Sequence, residues 1–437
     1  MKSDSEGIVR VGLIGFGTVG RAFARVLTRE AADLTLRRGV SLSLAAVGTR
    51  RADTKRDPGL GTGVRWTEDL ASVATDPGVD LVVELLGGIE PANGLIRAAL
   101  GAGKSVVTAN KMLLARHGTD LQNLAREKGA GLGIEAAVAG GIPILRALRS
   151  SFTGDRVTAV SGILNGTCNF ILTEMEATGR SYADVLADAQ RLGYAEADPA
   201  SDVEGDDAAY KLALLARLAF GRDVSVDQIA REGITRLLPC DFVYAKRLGR
   251  TPRQLAVARV APSGHLLLSV RTHLVSETSL LAKVIGPFNA VEVRGESGGP
   301  FVFSGRGAGG EPTATAVLAD VVEIARGGAP GARAAPPLGF ASLEACTPAT
   351  ADEFVSPFYL RFVVRDRPGI IADLARILAD HGANIEAVFQ APYEDKSALP
   401  FVVTLEPVSG RALAAALAAI GSLDFHVVPP VALPMTE

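Results

Sequence analysis

Apolar and polar positions change rhythm several times along the chain, and each change marks a different kind of element. Val9 to Ile14 is an apolar run of strand length. Gly15-Phe16-Gly17-Thr18-Val19-Gly20 follows, and then Val19, Phe23, Val26 and Leu27 recur at helical spacing. Further buried-strand candidates, "SLSLAAVG" from Ser41, Val79 to Gly88 and Ser105 to Asn110, alternate with helical segments, which predicts a parallel, doubly wound sheet. From about Gly140 the pattern shifts to longer helices and strands with alternating faces, as in an α+β domain. "DDAAYKLALLARLAFG" predicts a helix with Asp206 and Asp207 in its first turn, where carboxylates complement the helix dipole. Ala325 to Gly339 is rich in Ala, Gly and Pro, has no apolar period and reads as a linker. Beyond it come a strand, a "DRPG" turn and a helix with Ile370, Leu374, Ile377 and Leu378 on one face. Another strand, the strand "LPFVVTLEPV" and the helix "GRALAAALAAIG" complete a βαββαβ order.

The glycines of the first segment form G-x-G-x-x-G between a strand and a helix, the setting in which backbone can approach a pyrophosphate at a helix N-terminus. At the end of the next strand no carboxylate stands ready for a ribose 2′-hydroxyl; Arg50, Arg51 and Lys55 are there instead. Cations at that point suit a 2′-phosphate, so NADP is favoured and NAD is the alternative, against the plainer reading of a basic surface. Gly87, Gly88, Ala109, Asn110 and Lys111 fall at the carboxyl ends of later strands, where such sheets bind ligands.

Composition narrows the classes. A chain of 437 residues with 48% hydrophobic and 21% charged residues is folded and multidomain. Its net charge of −3 gives no reason to expect nucleic acid or an anionic membrane as partner. The polar start "MKSDSEG" lacks the apolar core of a signal peptide, and no apolar run approaches the ~20 residues of a membrane span, so a cytoplasmic location is expected. Three widely spaced cysteines argue against a disulfide framework, and five scattered histidines against a transition-metal site.

The stretch "GYAEADPASDVEGDDAAYK" carries six carboxylates (Glu196, Asp198, Asp202, Glu204, Asp206, Asp207) and ends on Lys211. Helical geometry puts Lys211 on one face with Asp207, Leu214, Leu215 and Leu218, so an Asp and a Lys sit inside an apolar stripe. Two readings stand. Lys211 snorkels to water beside a routine i, i+4 partner, or it lines a cleft, exchanging a proton with an alcohol or carbonyl while Glu196 and Asp202 hold a cationic substrate group. "GIEAAVAGGIPIL" (Gly133 to Leu145) is either a close helix–sheet contact that needs small residues or a turn whose carbonyls, with Glu135, bind a hard cation. "GRGAGGEPTATAV" is a glycine loop before a helix, a cover for a phosphate or nicotinamide or simply a long cap.

Together "GFGTVG", "VVTANKMLLA", "SGILNGTCNFILTEM", the acidic stretch, "GIT" at Gly233 and "GRGAGGEPTATAV" closely resemble the homoserine dehydrogenase family with a C-terminal ACT domain. The resemblance runs from about Val9 to the end. It implies a Rossmann-like domain at 1–139, with 311–326 a candidate return to it, and a catalytic and dimerisation domain at 140–310. A linker at 327–350 and a ferredoxin-like ACT regulatory domain at 351–437 follow. It implies NAD(P)-dependent interconversion of L-homoserine and L-aspartate 4-semialdehyde. Lys211 would transfer the proton, Asp207 would stand beside it, and Lys111 would be a second cation at the reacting centre. Glu196, Asp202 and Thr167 would hold the substrate's amino-acid end. Gly15, Gly17, Thr18, Val19, Gly20, Arg50, Arg51, Gly87, Asn110, Lys111 and Gly307 would contact the cofactor. Glu135 with the carbonyls of Val138, Gly140 and Ile142 would hold a monovalent cation, Na+ or K+. A homodimer or homotetramer is implied, and an amino-acid effector, threonine by pathway logic, near "DRPG" and Asn384.

"RTHLVSETSLLAKV" keeps only part of the family's wording, "TLEPV" replaces a usual "TH", and the tail lacks the usual "IR", so effector identity stays open. One rival is an aldehyde dehydrogenase using Cys168, but no histidine lies between His117 and His265 to activate a thiol in what reads as an apolar strand-like run. A non-catalytic sensor is the other. The intact Asp207, Lys211 and Lys111 argue against it.

Overall fold

The computed structural model describes residues 7–327, 342–392 and 395–436, and these form two compact units. One is built on Met1–Val157, Tyr210–Val226 and Arg294–Ala345, the other on Thr158–Ala209, Asp227–Val293 and Cys346–Glu437. Three chain segments thus enter each unit. Among the described residues no helix is long and apolar enough to cross a membrane.

The first unit holds six parallel strands, β1 (Ile8–Ile14), β2 (Ser41–Gly48), β3 (Arg65–Thr67), β4 (Leu81–Glu84), β5 (Ser105–Thr108) and β6 (Leu132–Gly133), in the order β3-β2-β1-β4-β5-β6. The order reverses between β1 and β4, the point at which open sheets of this class leave a crevice at the strand ends. β4 is buried along its whole length, as a central parallel strand must be. The helix Thr18–Arg38 and the late helix Gly310–Arg326 cover one face, with Val11, Leu13, Phe23, Leu27, Val317 and Val321 in a common core. Arg217, on the helix Asp206–Phe220, is only 4% exposed. Its guanidinium donates to the Leu114 and Ala115 carbonyls at 2.9 and 2.7 Å, which fastens this helix to the helix Lys111–Glu127.

The second unit contains β7 (Val157–Ile163), β8 (Arg250–Val260), β9 (Leu266–Ser276), β10 (Phe288–Gly295), β11 (Val355–Val364), β12 (Ile385–Phe389), β13 (Leu399–Ser409) and β14 (His426–Thr436). They run in one mixed sheet in the order β10-β7-β8-β9-β14-β11-β13-β12. The last four form the βαββαβ module. Its helices Ile370–Asp380 and Gly410–Gly421 bury Ile370, Leu374, Leu378, Leu413, Ala416 and Ile420 against Leu360, Phe362 and Phe401. The i, i+4 spacing of these residues is what makes one apolar stripe per helix. β14 joins the module to the remaining strands, pairing Met435 with Leu274 and Thr436 with Val275. Asp241, on the helix Pro239–Arg247, is fully buried and accepts from Tyr359 Oη at 2.8 Å, Arg361 Nε at 3.1 Å and the Leu238 amide at 2.8 Å. Arg361 also donates to the Arg236 carbonyl at 2.8 Å.

Of the linker expected at 327–350, residues 328–341 lie outside the described residues. The remainder is engaged by neighbours: Glu344 and Ala345 pair with Arg222 and Asp223, and Ala349 donates its amide to the Leu266 carbonyl at 2.8 Å. Backbone partners, which apolar periodicity does not report, order this part.

His273 on β9 is buried, and among the described residues neither ring nitrogen has a hydrogen-bond partner. Burial, with the positive charges of Arg271 and Arg259, pushes its pKa down to about 3 from 6.5. The unfolded chain therefore binds the proton more readily, and stability is lost as pH falls from 6.5 toward 3. His273→Phe is expected to flatten that acid limb in urea unfolding; an unchanged slope would show that His273 does not contribute to it.

Candidate active site

In the first unit the strand ends converge on a crevice built for backbone contact. Gly15, with φ 101°, turns the chain out of β1, and a Cβ on it would meet the Leu85 carbonyl at 2.6 Å. A Cβ on Gly20 would overlap the Gly15 carbonyl, while Gly17 faces open space. Gly17 caps the helix Thr18–Arg38 without a side-chain hydrogen bond, and Gly17 and Thr18 are exposed, so the first-turn amides remain available. Such an end attracts an anion. Arg50 and Arg51 follow β2, both exposed and neither ion-paired among the described residues, with Arg51 at φ 57°.

At the ends of β4 and β5, the fully buried Glu84 accepts from Thr108 Oγ1 and the Leu86 amide, each at 2.6 Å. Burial raises its pKa. Asn110 donates to the Gly88 carbonyl at 2.5 Å and accepts from the Leu113 amide at 3.2 Å. One side chain therefore holds the Gly87-Gly88 loop and caps the helix that begins at Lys111.

In the loop expected to hold a cation, Ala139 and Gly140 have consecutive positive φ values of 53° and 54°. For Ala139 this conformation is strained, and it re-aims the neighbouring carbonyls. A Cβ on Gly140 would come within 2.7 Å of the Gly307 backbone, so this loop and the glycine loop at Gly307 pack directly on each other. The Glu135 carboxylate accepts from the Leu145 and Arg146 amides at 3.0 and 2.7 Å, and the Glu135 amide donates to Asp320 at 2.8 Å. Burial, reinforced by Asp320, pushes the Glu135 pKa up to about 7. Its carboxylate thus clasps the chain after the loop. Ile142 is buried, and its carbonyl accepts from the Ile144 amide at 2.8 Å. No cluster of three or more His, Cys, Asp or Glu residues suited to a metal occurs among the described residues.

In the second unit the acidic stretch is organised by one amide. Asn165 caps the helix Gly166–Thr178 through the Cys168 amide, and its Nδ2 donates to Asp202 at 2.7 Å and Asp207 at 2.9 Å. Thr167 Oγ1 donates to the Tyr194 carbonyl at 2.7 Å, tying that helix to the loop before Glu196, which is exposed. Asp206 is turned away to Arg231 at 2.8 Å. Asp207 and Lys211 lie one turn apart on the helix Asp206–Phe220, each only 8% exposed. A lysine snorkelling to solvent would not be so covered.

The model of the homoserine dehydrogenase family matches residues 143–322, that of its NAD binding domain residues 15–135, and that of the ACT domain residues 358–425. A homoserine dehydrogenase from Pseudomonas aeruginosa is 43% identical over 95% of this chain and 96% of its own length. The solved structure of one from Thiobacillus denitrificans superposes with a TM-score of 0.90 at 39% identity, covering 99% of both chains. This chain belongs to the homoserine dehydrogenase family. A hyperthermophilic archaeal homoserine dehydrogenase mutant, solved in complex with NADPH, is also similar, with a TM-score of 0.64 at 26% identity over 74% of this chain. As a homoserine dehydrogenase the chain interconverts L-homoserine and L-aspartate 4-semialdehyde by hydride transfer with a nicotinamide cofactor, in threonine and methionine biosynthesis.

Sequence reasoning did not single out Asn165, Glu84, Thr108 or Arg217 in this homoserine dehydrogenase. Asn165 and Glu84 carry a signal in hindsight: an Asn before a helical run is an N-cap, and a carboxylate ending "LVVE" must find donors. Cys168 is helical rather than in a strand, because Asn165 starts the helix three residues earlier. Its buried thiol is 3.1 Å from the Asp202 carbonyl and packs in the core with Leu172 and Met175. That setting is the one expected of a buried structural cysteine.

Proposed function

We propose that Lys211 is the proton-transfer group and that Asp207, Asp202, Thr167 and Glu196 bind and orient homoserine. The observation that carries this is the pair Asp207 and Lys211, buried together on one helix, with Asn165 holding Asp207 and Asp202. In the oxidation direction the Lys211 amine accepts the substrate's hydroxyl proton as the carbonyl forms, and in reduction its ammonium returns the proton to the alkoxide. A nicotinamide cofactor held at the Gly15–Gly20 turn would supply the hydride acceptor or donor for the substrate's C4 carbon. Lys111 stabilises negative charge developing on that oxygen. Asn165 keeps two carboxylates from drifting, and Arg217 secures the helix that carries Lys211. The carboxylates match an α-ammonium, and preorganised charge of this kind supplies most of the effect a protein adds to hydride transfer.

The helix N-terminus at Gly17, with Thr18 and Val19, suits the cofactor's pyrophosphate, Gly87 and Asn110 the loop beside it, and Gly307 the cover. Arg50 and Arg51 suit a 2′-phosphate, which favours NADP. Carbonyls at Val138, Gly140 and Ile142 suit Na+ or K+, with Glu135 as the clasp behind them. We also infer a cytoplasmic enzyme that forms homodimers or homotetramers, with threonine as effector of the ACT domain.

The test is the initial rate of homoserine oxidation by the purified chain with NADP or NAD, with and without threonine. Arg50→Ala combined with Arg51→Ala is expected to raise the KM for NADP about tenfold while changing the NAD value little. Equal effects on the two cofactors would remove these arginines from 2′-phosphate recognition. No homoserine-dependent reduction of either cofactor would overturn the reading as a whole.

A further inference from the structure

The second unit contains a cavity of ≈ 430 Å³ that none of the groups discussed above occupies. Its size is that of a small-molecule site. One wall is a face of the β8–β9 hairpin, whose register pairs Leu255 with Arg271, Val257 with Ser269 and Arg259 with Leu267. Side chains alternate with a period of two, so Val257, Arg259, Leu267, Ser269 and Arg271 share that face. The opposite wall is Leu413, Ala414 and Leu417 of the helix Gly410–Gly421. The cavity therefore lies between the β8–β9 hairpin and a helix of the ACT module.

Its charges are unbalanced. Arg236, Arg259 and Arg271 face a single carboxylate, Glu232, a net of +2 from three cations and one anion. Arg236 is committed, donating to the Pro430 carbonyl and lying 3.7 Å from Glu232. Arg259 and Arg271 have no carboxylate partner among the described residues. Arg271 is held over the Phe354 ring, 5.5 Å from its centroid, and its Nε is buried without a hydrogen-bond partner. Two half-buried guanidiniums without a counter-charge are costly, and an anion between them offsets that cost. Most of the remaining lining is apolar, with Val257, Leu266, Leu413, Leu417, Phe354 and Phe358 in it, so the fitting molecule has one carboxylate and an aliphatic body.

We propose that this cavity is a second ligand site of the enzyme, for a small aliphatic carboxylate. It is separate from the "DRPG" turn (Asp366–Gly369) and from Asn384, none of which lines it. An occupant here would brace β8 and β9 against the ACT helix. It would also meet Arg236, whose backbone carbonyl receives the buried Arg361.

The experiment is calorimetric titration of the full chain with isovalerate, and with isobutylamine as a control of similar shape and opposite charge. Saturable binding of isovalerate alone is expected, weakened about tenfold or more in Arg271→Gln and in Arg259→Gln. Ala414→Trp, which fills the cavity from an exposed helix position, is expected to abolish binding while homoserine oxidation continues. The proposal is overturned if isovalerate does not saturate, if both probes bind alike, or if binding survives all three substitutions.

Discussion

Replacing Lys211 with alanine is expected to lower kcat for homoserine oxidation by about 100- to 10,000-fold, the span of a general acid–base group. The amine takes the hydroxyl proton, and alanine leaves no group on this side chain to do so. NADPH binding, followed by its fluorescence, should persist, since the glycine turn and the helix N-terminus lie on other elements. Lys211→Met keeps the aliphatic stem and is the stricter comparison: it separates lost chemistry from lost packing in a side chain that is 8% exposed. Full turnover in Lys211→Met would reduce the residue to a core filler.

The second large effect is on stability. Asp241→Ala is expected to cost about 3–5 kcal/mol, because it leaves the Arg361 guanidinium buried without its carboxylate. It also takes the acceptor from Tyr359 and from the Leu238 amide. Urea unfolding measures the loss, and a value under about 1 kcal/mol would mean that water reaches Arg361 freely. Converting the three residues together, Asp241→Leu, Tyr359→Phe and Arg361→Met, should recover most of it. Apolar groups of similar volume often match a buried ion pair in free energy.

The parallel sheet, the βαββαβ module and the family were legible in the chain because each rests on local pattern: apolar runs of strand length, glycines at a strand–helix turn, an i, i+4 stripe. The geometry around Asn165 was not. Its amide meets Asp202 and Asp207 across 37 and 42 residues of sequence, and no periodicity encodes a contact of that range. Glu84 and Thr108 likewise meet only because β4 and β5 are neighbours. Glu135 was legible as a residue type near a special loop, whereas its acceptance of two backbone amides depends on where the following turn returns. Backbone pairing at Glu344 and Ala349, inside the segment expected to be linker, leaves no trace in composition.

The pairing of Met435 and Thr436 with Leu274 and Val275 bears on how the ACT module could be removed from the enzyme. Cutting the gene before the ACT module would strip β14 from β9 and leave a row of bare amides and carbonyls, an invitation to sticky, misassembled protein. Variants that probe the module should instead carry single substitutions that spare this seam.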